Sequence, residues 1–221
     1  MGRIGITEPV VISSFPVVDG VFPSSIADCD AWVLTCSRFD ASGATEWVTQ
    51  LREFTSRIVD SGRRVCGICF GHQLIALALG GTLRRRTRWV VGVQRLVVSP
   101  NKWIPLAEMR LPGLHQDEIA TLPVNALTIA STADVKAAAY SVPPNVLCLQ
   151  YHVEFTPAYF RALVTSRSHL LGDVSPHDVV CEDTDDAMVA DHLVAFLIDA
   201  KRQPCSDISQ KSEETRPKRR K

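Results

Sequence analysis

A strand–turn–helix pattern in the first third of the chain limits the available folds more than any other feature. The letters RRVCGIC, 63–69, form an apolar run that predicts a buried strand, and HQLIALALGG, 72–81, predicts an apolar helix that ends at its two glycines. The preceding segments DAWVLTCS, 30–37, and ATEWVTQLREFTSRIVDSG, 44–62, show the same strand–helix order. Alternating strands and helices with short connections are typical of a parallel sheet with helices packed on its faces.

The rest of the first 200 residues extends this pattern. Further strands are predicted at 89–98, 126–132, 135–142 and 145–152, and further helices at 156–167 and 186–200. Thr156 is suited to cap the first of these helices, and Pro157 is suited to its first position. We therefore predict one α/β domain over residues 1–200, a three-layer sandwich with a mostly parallel central sheet flanked by helices.

The composition changes sharply after Ala200. Residues 201–221 contain almost no apolar side chains and carry eight Lys or Arg against three acidic residues, which predicts a disordered basic tail. Its last letters, PKRRK at 217–221, are typical of a nuclear-import signal and equally of a solvated tail. We expect a cytoplasmic protein, with nuclear import through this tail as an alternative.

The bulk properties argue against several classes of partner and cofactor. The formal net charge is zero, so nothing in it indicates a nucleic-acid or membrane partner, and no apolar run is long enough to span a bilayer. The seven cysteines are scattered and odd in number, which indicates reduced thiols rather than a disulfide framework. Cys66 and Cys69 form a C-x-x-C pair, but no second pair completes a zinc site. We therefore expect no metal and no other cofactor.

Cys69 lies between two glycines at the junction of the predicted strand and helix. A sharp strand-to-helix turn that lifts one side chain above a sheet is the setting of a nucleophile elbow. Gly67 and Gly71 suit such a turn because the missing Cβ permits unusual backbone angles and close packing. The N–H groups at the helix start favour a thiolate, so we expect a lowered pKa at Cys69. The alternative is a buried structural cysteine, which the glycine spacing argues against.

A thiol nucleophile needs a base and a group that orients the base, and the segment LQYHVEF offers both. His152 and Glu154 follow a predicted buried strand at positions i and i+2, so their side chains point the same way in extended chain. The carboxyl ends of strands are where α/β sheets place their sites. The sequence therefore predicts that an imidazole and a carboxylate lie together near the cysteine.

At this point the chain resembles the class I glutamine amidotransferases of the Cys–His–Glu type. The resemblance rests on GICFGHQ around Cys69 and HVE at 152–154, in that order and about eighty residues apart. DAWVLTCS, HQDEIATLP and LQYHVEF make it closest to the standalone, GMP-synthase-like subgroup, which includes plant γ-glutamyl peptidases. It covers roughly Pro23 to Leu197 and implies a flavodoxin-like α/β fold.

The resemblance implies a role for each matching residue. Cys69 matches the nucleophile that attacks the side-chain amide of glutamine to give a γ-glutamyl thioester and ammonia. His152 matches the general base, and Glu154 matches the residue that orients it. Gln73 matches a position that contacts the substrate.

The resemblance also implies which residues form the oxyanion hole, and it assigns a position to one further histidine. The N–H of Phe70 matches one half of the oxyanion hole, and the other half is expected from the loop that contains Cys36 and Ser37. His115, in the letters HQDE, matches a loop near the site and is given no catalytic role.

Val153 stands where the family usually has proline, a change that should be tolerated, and two further departures bear on catalysis and folding. The family usually carries glycine where Cys36 stands, and a Cβ at this position changes the aim of the backbone N–H that should help to bind the oxyanion. The family also opens with a buried apolar strand, whereas the letters of residues 1–15 are weakly patterned. We therefore expect a degraded or missing first strand, which leaves a sheet edge exposed.

Three functions stay open at this stage. The first is a hydrolase that releases ammonia from glutamine, a small-molecule substrate, and passes it to an acceptor on a partner subunit. The second is a γ-glutamyl peptidase that acts on glutathione-like peptides with the same three residues. The third is a non-catalytic binding or regulatory protein that keeps the fold. No synthetase segment or nucleotide-binding motif occurs in the chain, which keeps the second function open.

Overall fold

Seven strands form one sheet in the computed structural model, which describes residues 9–172, 174, 179 and 183–199. The strands are β1 (Ala31–Leu34), β2 (Arg64–Ile68), β3 (Thr82–Val98), β4 (Glu108–Thr121), β5 (Leu127–Ser131), β6 (Ala139–Val142) and β7 (Val146–Leu149). The helices are α1 (Glu46–Asp60), α2 (Phe70–Ala78), α3 (Pro157–Arg167) and α4 (Asp186–Ile198), with short 3₁₀ turns at Val17–Asp19, Ile26–Asp28 and Ser168–Leu170. The spatial order of the strands is β1-β2-β7-β6-β5-β3-β4.

The predicted α/β fold class is confirmed, but the sheet is mixed rather than mostly parallel. The pairs β1–β2 and β2–β7 are parallel, whereas β7–β6, β6–β5, β5–β3 and β3–β4 are antiparallel. The reason is the length of the connections. Parallel neighbours need a crossover such as α1. The connections from β3 to β4, from β5 to β6 and from β6 to β7 are too short for one, so they join antiparallel neighbours.

Alternate residues of the central strands point to opposite faces of the sheet. Cys66 of β2 and Leu147 of β7 pack in the core that includes residues of α4. Val65 and Val146 pack in the other core, with residues of α1 and α2. This arrangement gives the predicted three layers, because the central strands β2 and β7 bury both of their faces under helices.

No strand precedes β1 among residues 9–30, and residues 1–8 of the segment in question lie outside the described residues, so the loss of the first family strand stays a prediction. Two 3₁₀ turns occupy part of this segment instead. Phe15 contacts Trp32 of β1, with ring centroids 6.0 Å apart. The segment therefore adds apolar cover to the core beside β1 without pairing with it. β1 is left at the sheet edge.

The letters HQDE lie in strand β4 and not in a loop, which corrects the interpretation of this segment. β3 and β4 pair over most of their length, with a register shift between Arg85 and Val90. Glu118 of β4 has only 3% of its side chain exposed and accepts hydrogen bonds from Arg84 and Arg86 of β3 at 2.7 and 3.1 Å. These pairs satisfy a carboxylate that would otherwise be costly to bury.

Two sequence predictions need a separate statement. Within the described ranges, no helix combines the length and the apolar character that crossing a membrane requires. The predicted basic tail, 201–221, and the boundary at residue 200 lie outside the described residues, so both stay predictions.

The buried histidine of α2 predicts a pH dependence of stability. His72 is fully buried, and its Nε2 donates to the carbonyl oxygen of Ala137 at 3.0 Å. Burial lowers the pKa of His72 from 6.5 to about 3, and burial lowers that of His115 to about 4. Below about pH 6.5 the unfolded chain therefore binds protons that the folded chain does not. We expect the free energy of unfolding to fall as the pH is lowered from 6.5 towards 4.

Urea unfolding midpoints measured between pH 7 and pH 4 test this expectation. A His72→Gln variant should be less stable at pH 7 but should lose a smaller part of its stability over the acid range. His169→Gln, at an exposed position, is the matched control and should keep the wild-type pH dependence. A wild-type slope retained in His72→Gln would contradict the assignment to His72.

Candidate active site

Cys69 lies in the sharp turn between β2 and α2. Its φ is 52° and its ψ is −100°, a conformation that L-residues rarely adopt. Its N–H donates to the carbonyl oxygen of Leu149 at 2.9 Å, and its carbonyl oxygen accepts from Gln73 N at 3.1 Å. The strained strand–turn–helix geometry predicted from the glycine spacing is therefore confirmed.

The two glycines around Cys69 are required by close backbone contacts. A Cβ on Gly67 would lie 2.6 Å from the carbonyl carbon of Gly71, and a Cβ on Gly71 would lie 2.7 Å from the carbonyl carbon of Leu34. Real Cβ atoms essentially never approach other atoms so closely. The glycines thus allow the start of α2 to sit directly on the ends of β2 and β1.

Cys69 as a residue is 8% exposed, and its sulfur accepts a hydrogen bond from Gln150 Nε2 at 3.6 Å. Burial raises the pKa of Cys69 to about 12, the nearby Cys36 and Glu154 act in the same direction, and the Phe70 N–H at the sulfur opposes them. The expectation of a lowered pKa is therefore wrong for this structure, because loss of solvation outweighs the helix N-terminus. Burial at this position therefore favours the thiol form of Cys69 over the thiolate.

His152 and Glu154 form the predicted pair just beyond β7. His152 is 2% exposed, and its Nδ1 donates to Glu154 Oε1 at 2.7 Å. The imidazole stacks on the Phe155 ring, with centroids 3.8 Å apart and planes 9° apart. Because a carboxylate only accepts, Nδ1 carries the proton and Nε2 is left with its lone pair.

The Glu154 carboxylate is held in its charged form. Burial raises its pKa, but the hydrogen bond from His152 and the N–H of Val153, which donates to Oε2 at 3.0 Å, help to outweigh burial. The net effect is a pKa below the ordinary value. A charged carboxylate at this position fixes the ring orientation of His152.

The sheet brings Cys69 and His152 together at the carboxyl ends of the neighbouring strands β2 and β7. Ile68 and Leu149 are paired in the parallel β2–β7 register, so the residues that follow both strands leave the sheet side by side. In the described part of the chain, no hydrogen bond joins Cys69 to His152. Gln150 is the sulfur's hydrogen-bond partner there. Nucleophile–base contacts are often long before substrate binds and tighten in the complex.

Gln73 and Gln150 form a hydrogen-bonded chain that reaches the sulfur. Gln73 Nε2 donates to the carbonyl oxygen of Asp117 at 2.9 Å and to Gln150 Oε1 at 3.1 Å. The amide nitrogen of Gln73, the residue assigned by resemblance to substrate contact, is thus engaged by protein oxygens. Sequence reasoning missed Gln150. The sequence did contain an indication of Gln150, because it is a polar residue that directly follows a buried strand, two positions before His152.

The loop after β1 brings a second thiol to this site. One donor atom from each of Cys36, His152 and Glu154 can be chosen such that all three lie within 4.8 Å of one another. Burial and the adjacent Glu154 carboxylate raise the pKa of Cys36 to about 11. Ser37 Oγ accepts from the N–H of Phe39 at 3.2 Å, which shapes the turn that follows. The loop predicted to complete the oxyanion hole therefore lies beside the His152–Glu154 pair.

His115 occupies a structural position on β4. It is 3% exposed, its Nδ1 donates to the carbonyl oxygen of Asp117 at 3.0 Å, and its ring meets Tyr151 edge to face. Its bonding partner Asp117 also accepts from Gln73 through the same carbonyl oxygen. His115 thus supports the strand segment on which the Gln73–Gln150 chain is anchored.

Comparisons with known proteins agree on one family. The model of the class-I glutamine amidotransferases matches residues 40–168. γ-Glutamyl peptidase 4 of Arabidopsis thaliana is 35% identical over 154 residues, which are 64% of this chain and 61% of the plant protein. One subunit of the glutamine-hydrolysing GMP synthase of Saccharolobus solfataricus is 32% identical over 92 residues, 40% of this chain and 49% of the archaeal one.

The solved structures agree on the fold. A glutamine amidotransferase from Methylobacillus flagellatus matches with a TM-score of 0.70 at 20% identity, covering 81% of this chain and 80% of that one. The chain spans 61% of the length of the plant peptidase.

Proposed function

Because the chain belongs to the class I glutamine amidotransferase family, we propose that it hydrolyses γ-glutamyl amides through a thioester on Cys69. One observation carries the proposal. Cys69 sits at a φ of 52° in a strand–helix turn, at the sheet edge where the His152–Glu154 pair also lies. A strained turn, a base and a carboxylate that orients the base are the parts that thiol acyl transfer needs.

The first half of the proposed reaction forms the thioester. His152 Nε2 accepts the Cys69 proton as the sulfur attacks the γ-carbonyl carbon. The Phe70 N–H, which already points at the sulfur, helps to stabilise the oxyanion, with the Cys36–Ser37 loop as the second donor. The C–N bond then breaks, and the leaving nitrogen takes the proton from His152. The high thiol pKa fits this order, because proton transfer accompanies attack.

The second half returns the free enzyme. His152 takes a proton from water, and the hydroxide attacks the thioester carbonyl carbon. The C–S bond breaks, glutamate is released, and the proton returns to the Cys69 sulfur. Glu154 stays charged throughout and stabilises the imidazolium that forms in both halves.

The leaving group distinguishes the two candidate activities. The likeness to a γ-glutamyl peptidase of Arabidopsis thaliana favours a γ-glutamyl peptide, whose leaving group is an amine. The family match and the likeness to part of a glutamine-hydrolysing GMP synthase support glutamine, whose leaving group is ammonia. In the second case we propose that the ammonia passes to an acceptor on a partner protein.

A turnover assay on the purified full chain tests the proposal. Glutamine and glutathione are offered separately, and ammonia, glutamate and the freed dipeptide are followed. We expect glutathione to release glutamate and the freed dipeptide faster than glutamine releases ammonia. The reverse ranking would assign a glutaminase and start the search for an acceptor.

The Cys69→Ala variant is the control for both substrates. If the wild type turns over neither substrate faster than Cys69→Ala does, the proposal is overturned. That result would leave a non-catalytic binding protein that retains the fold.

A further inference from the structure

Three metal-binding side chains converge at the active-site edge from segments that are far apart in the chain. Cys36 follows β1, whereas His152 and Glu154 follow β7. One donor atom from each lies within 4.8 Å of the other two, and His152 Nδ1 is 2.7 Å from Glu154 Oε1. This cluster is separate from the C-x-x-C pair of Cys66 and Cys69. Cys66 is buried in the core beside β2 and is not a member of the cluster.

The three donors suit a thiophilic divalent cation. Thiolate, imidazole and carboxylate are the ligands that zinc takes in proteins, at about 2.0–2.3 Å. Ligand atoms around a tetrahedral ion then lie about 3.5 Å apart, so the cluster has to close by about 1 Å at its widest pair. Rotation of Cys36 and Glu154 can supply this movement, since neither side chain is fully buried.

Access and charge bear on whether an ion can enter. Glu154 has 39% of its side chain exposed and Cys36 is partly exposed, so the site opens to solvent. Glu154 contributes a carboxylate, which attracts a cation. The positive charge of Arg167, which acts on both Cys36 and Cys69, opposes the binding of a cation. Three protein ligands leave a fourth position for water.

We propose that Cys36, His152 and Glu154 form a binding site for Zn²⁺ or a similar thiophilic ion, and that the bound ion inhibits hydrolysis at Cys69. Glu154 faces Nδ1, so an ion shared by the three residues binds Nδ1 in place of its proton. The neutral ring then carries its proton on Nε2, and the lone pair that accepts the thiol proton is lost. The binding site stands on geometry alone, whereas the inhibition rests on the proposed function. Cys36 thereby gains a role that glycine at the same position does not offer.

Cobalt replaces zinc in such sites and reports thiolate ligation by a charge-transfer absorption band. The full chain is titrated with Co²⁺, and Zn²⁺ is then added to displace it. We expect a saturable band of one Co²⁺ per chain that Zn²⁺ removes. The same titration is run on Cys69→Ala, Cys36→Ala and Cys29→Ala, where Cys29 is a partly exposed thiol outside the site.

The variants separate the proposed site from other thiols. The band should persist in Cys69→Ala and Cys29→Ala, and Cys36→Ala should weaken Co²⁺ binding by about 100-fold or more. A band that persists in Cys36→Ala, that disappears in Cys69→Ala, or that never forms in the wild type would overturn the proposal. Circular dichroism of Cys36→Ala checks that the variant is folded.

A second measurement tests inhibition separately from binding. Turnover of glutathione or glutamine is measured with and without Zn²⁺, and the ratio is compared within each variant. Zn²⁺ should inhibit the wild type at a concentration about 100-fold lower than it inhibits Cys36→Ala. Equal sensitivity would overturn the inhibitory role. A chain with no turnover but a Cys36-dependent cobalt band would refute the proposed function and leave the metal site standing.

Discussion

Replacing Cys69 with alanine is expected to reduce hydrolysis of γ-glutamyl amides by on the order of 10⁴-fold or more. The variant loses the atom that forms the thioester, and neither neighbouring thiol is placed to replace it. Cys66 is buried in the β2 core, and Cys36 lies in the loop after β1 beside Glu154, outside the strained turn at the start of α2. We expect the decrease to appear in kcat rather than as an increase in KM. Steady-state rates with the better of the two substrates give the measurement.

The other cysteine of the C-x-x-C pair provides a matched control for this experiment. Cys66→Ala removes a buried thiol three residues away, and burial raises the pKa of Cys66 well above its usual value. This variant should keep turnover within a few-fold of the wild type, although its stability should fall. A redox dithiol would need both cysteines. Equal loss of activity in folded Cys66→Ala and Cys69→Ala would therefore contradict the single-nucleophile mechanism.

Replacing Gly71 with alanine is expected to destabilise the protein by about 3–5 kcal/mol or to prevent folding. The new Cβ would overlap the Leu34 carbonyl group and lie 2.7 Å from the Leu34 Cβ. The contacts are mostly with backbone, so no side-chain rotation relieves them. Either β1 or the start of α2 has to move, and the turn at Cys69 would lose its geometry. Urea unfolding of the soluble fraction measures the loss.

Gly20→Ala separates steric overlap from the general cost of replacing a glycine. Gly20 has a φ of +79°, and a Cβ built there meets nothing within 4 Å. The control should lose only about 1 kcal/mol from backbone strain. Its turnover should be unchanged, since Gly20 lies far along the chain from the site. Similar unfolding midpoints for the two variants would show that the packing at Gly71 tolerates a Cβ.

Local pattern was sufficient to predict the parts of the site that depend on neighbours in the chain. Glycine at Gly67 and Gly71 around Cys69 predicted a strained turn, because few other arrangements require glycine on both sides of a strand end. The i, i+2 spacing predicted that His152 and Glu154 would face the same way, and they hydrogen-bond at 2.7 Å. Both predictions concern a few residues whose geometry follows from backbone dihedrals.

The sheet was harder to predict because its antiparallel part lacks a clear apolar pattern. β4 carries His115, Gln116, Asp117 and Glu118 in succession, letters that are typical of a loop. In the structure, arginines of β3 pair with the Asp117 and Glu118 carboxylates, and the Asp117 carbonyl oxygen accepts from His115 and Gln73. A strand of this kind is stabilised by its partner strand, and the partner cannot be identified from the letters of either strand alone.

By itself, then, the sequence determined the α/β class, the strained turn at Cys69 and the pairing of His152 with Glu154, because each depends on short-range periodicity or spacing. Only the tertiary structure decided that burial raises the pKa of Cys69, that Gln150 contacts its sulfur, and that Cys36 lies beside His152 and Glu154. The physical reason is that the solvation of Cys69 and the distances between these side chains depend on how β1, β2 and β7 align, since the residues follow the carboxyl ends of these three strands. Residues more than a hundred positions apart become neighbours only when the sheet forms.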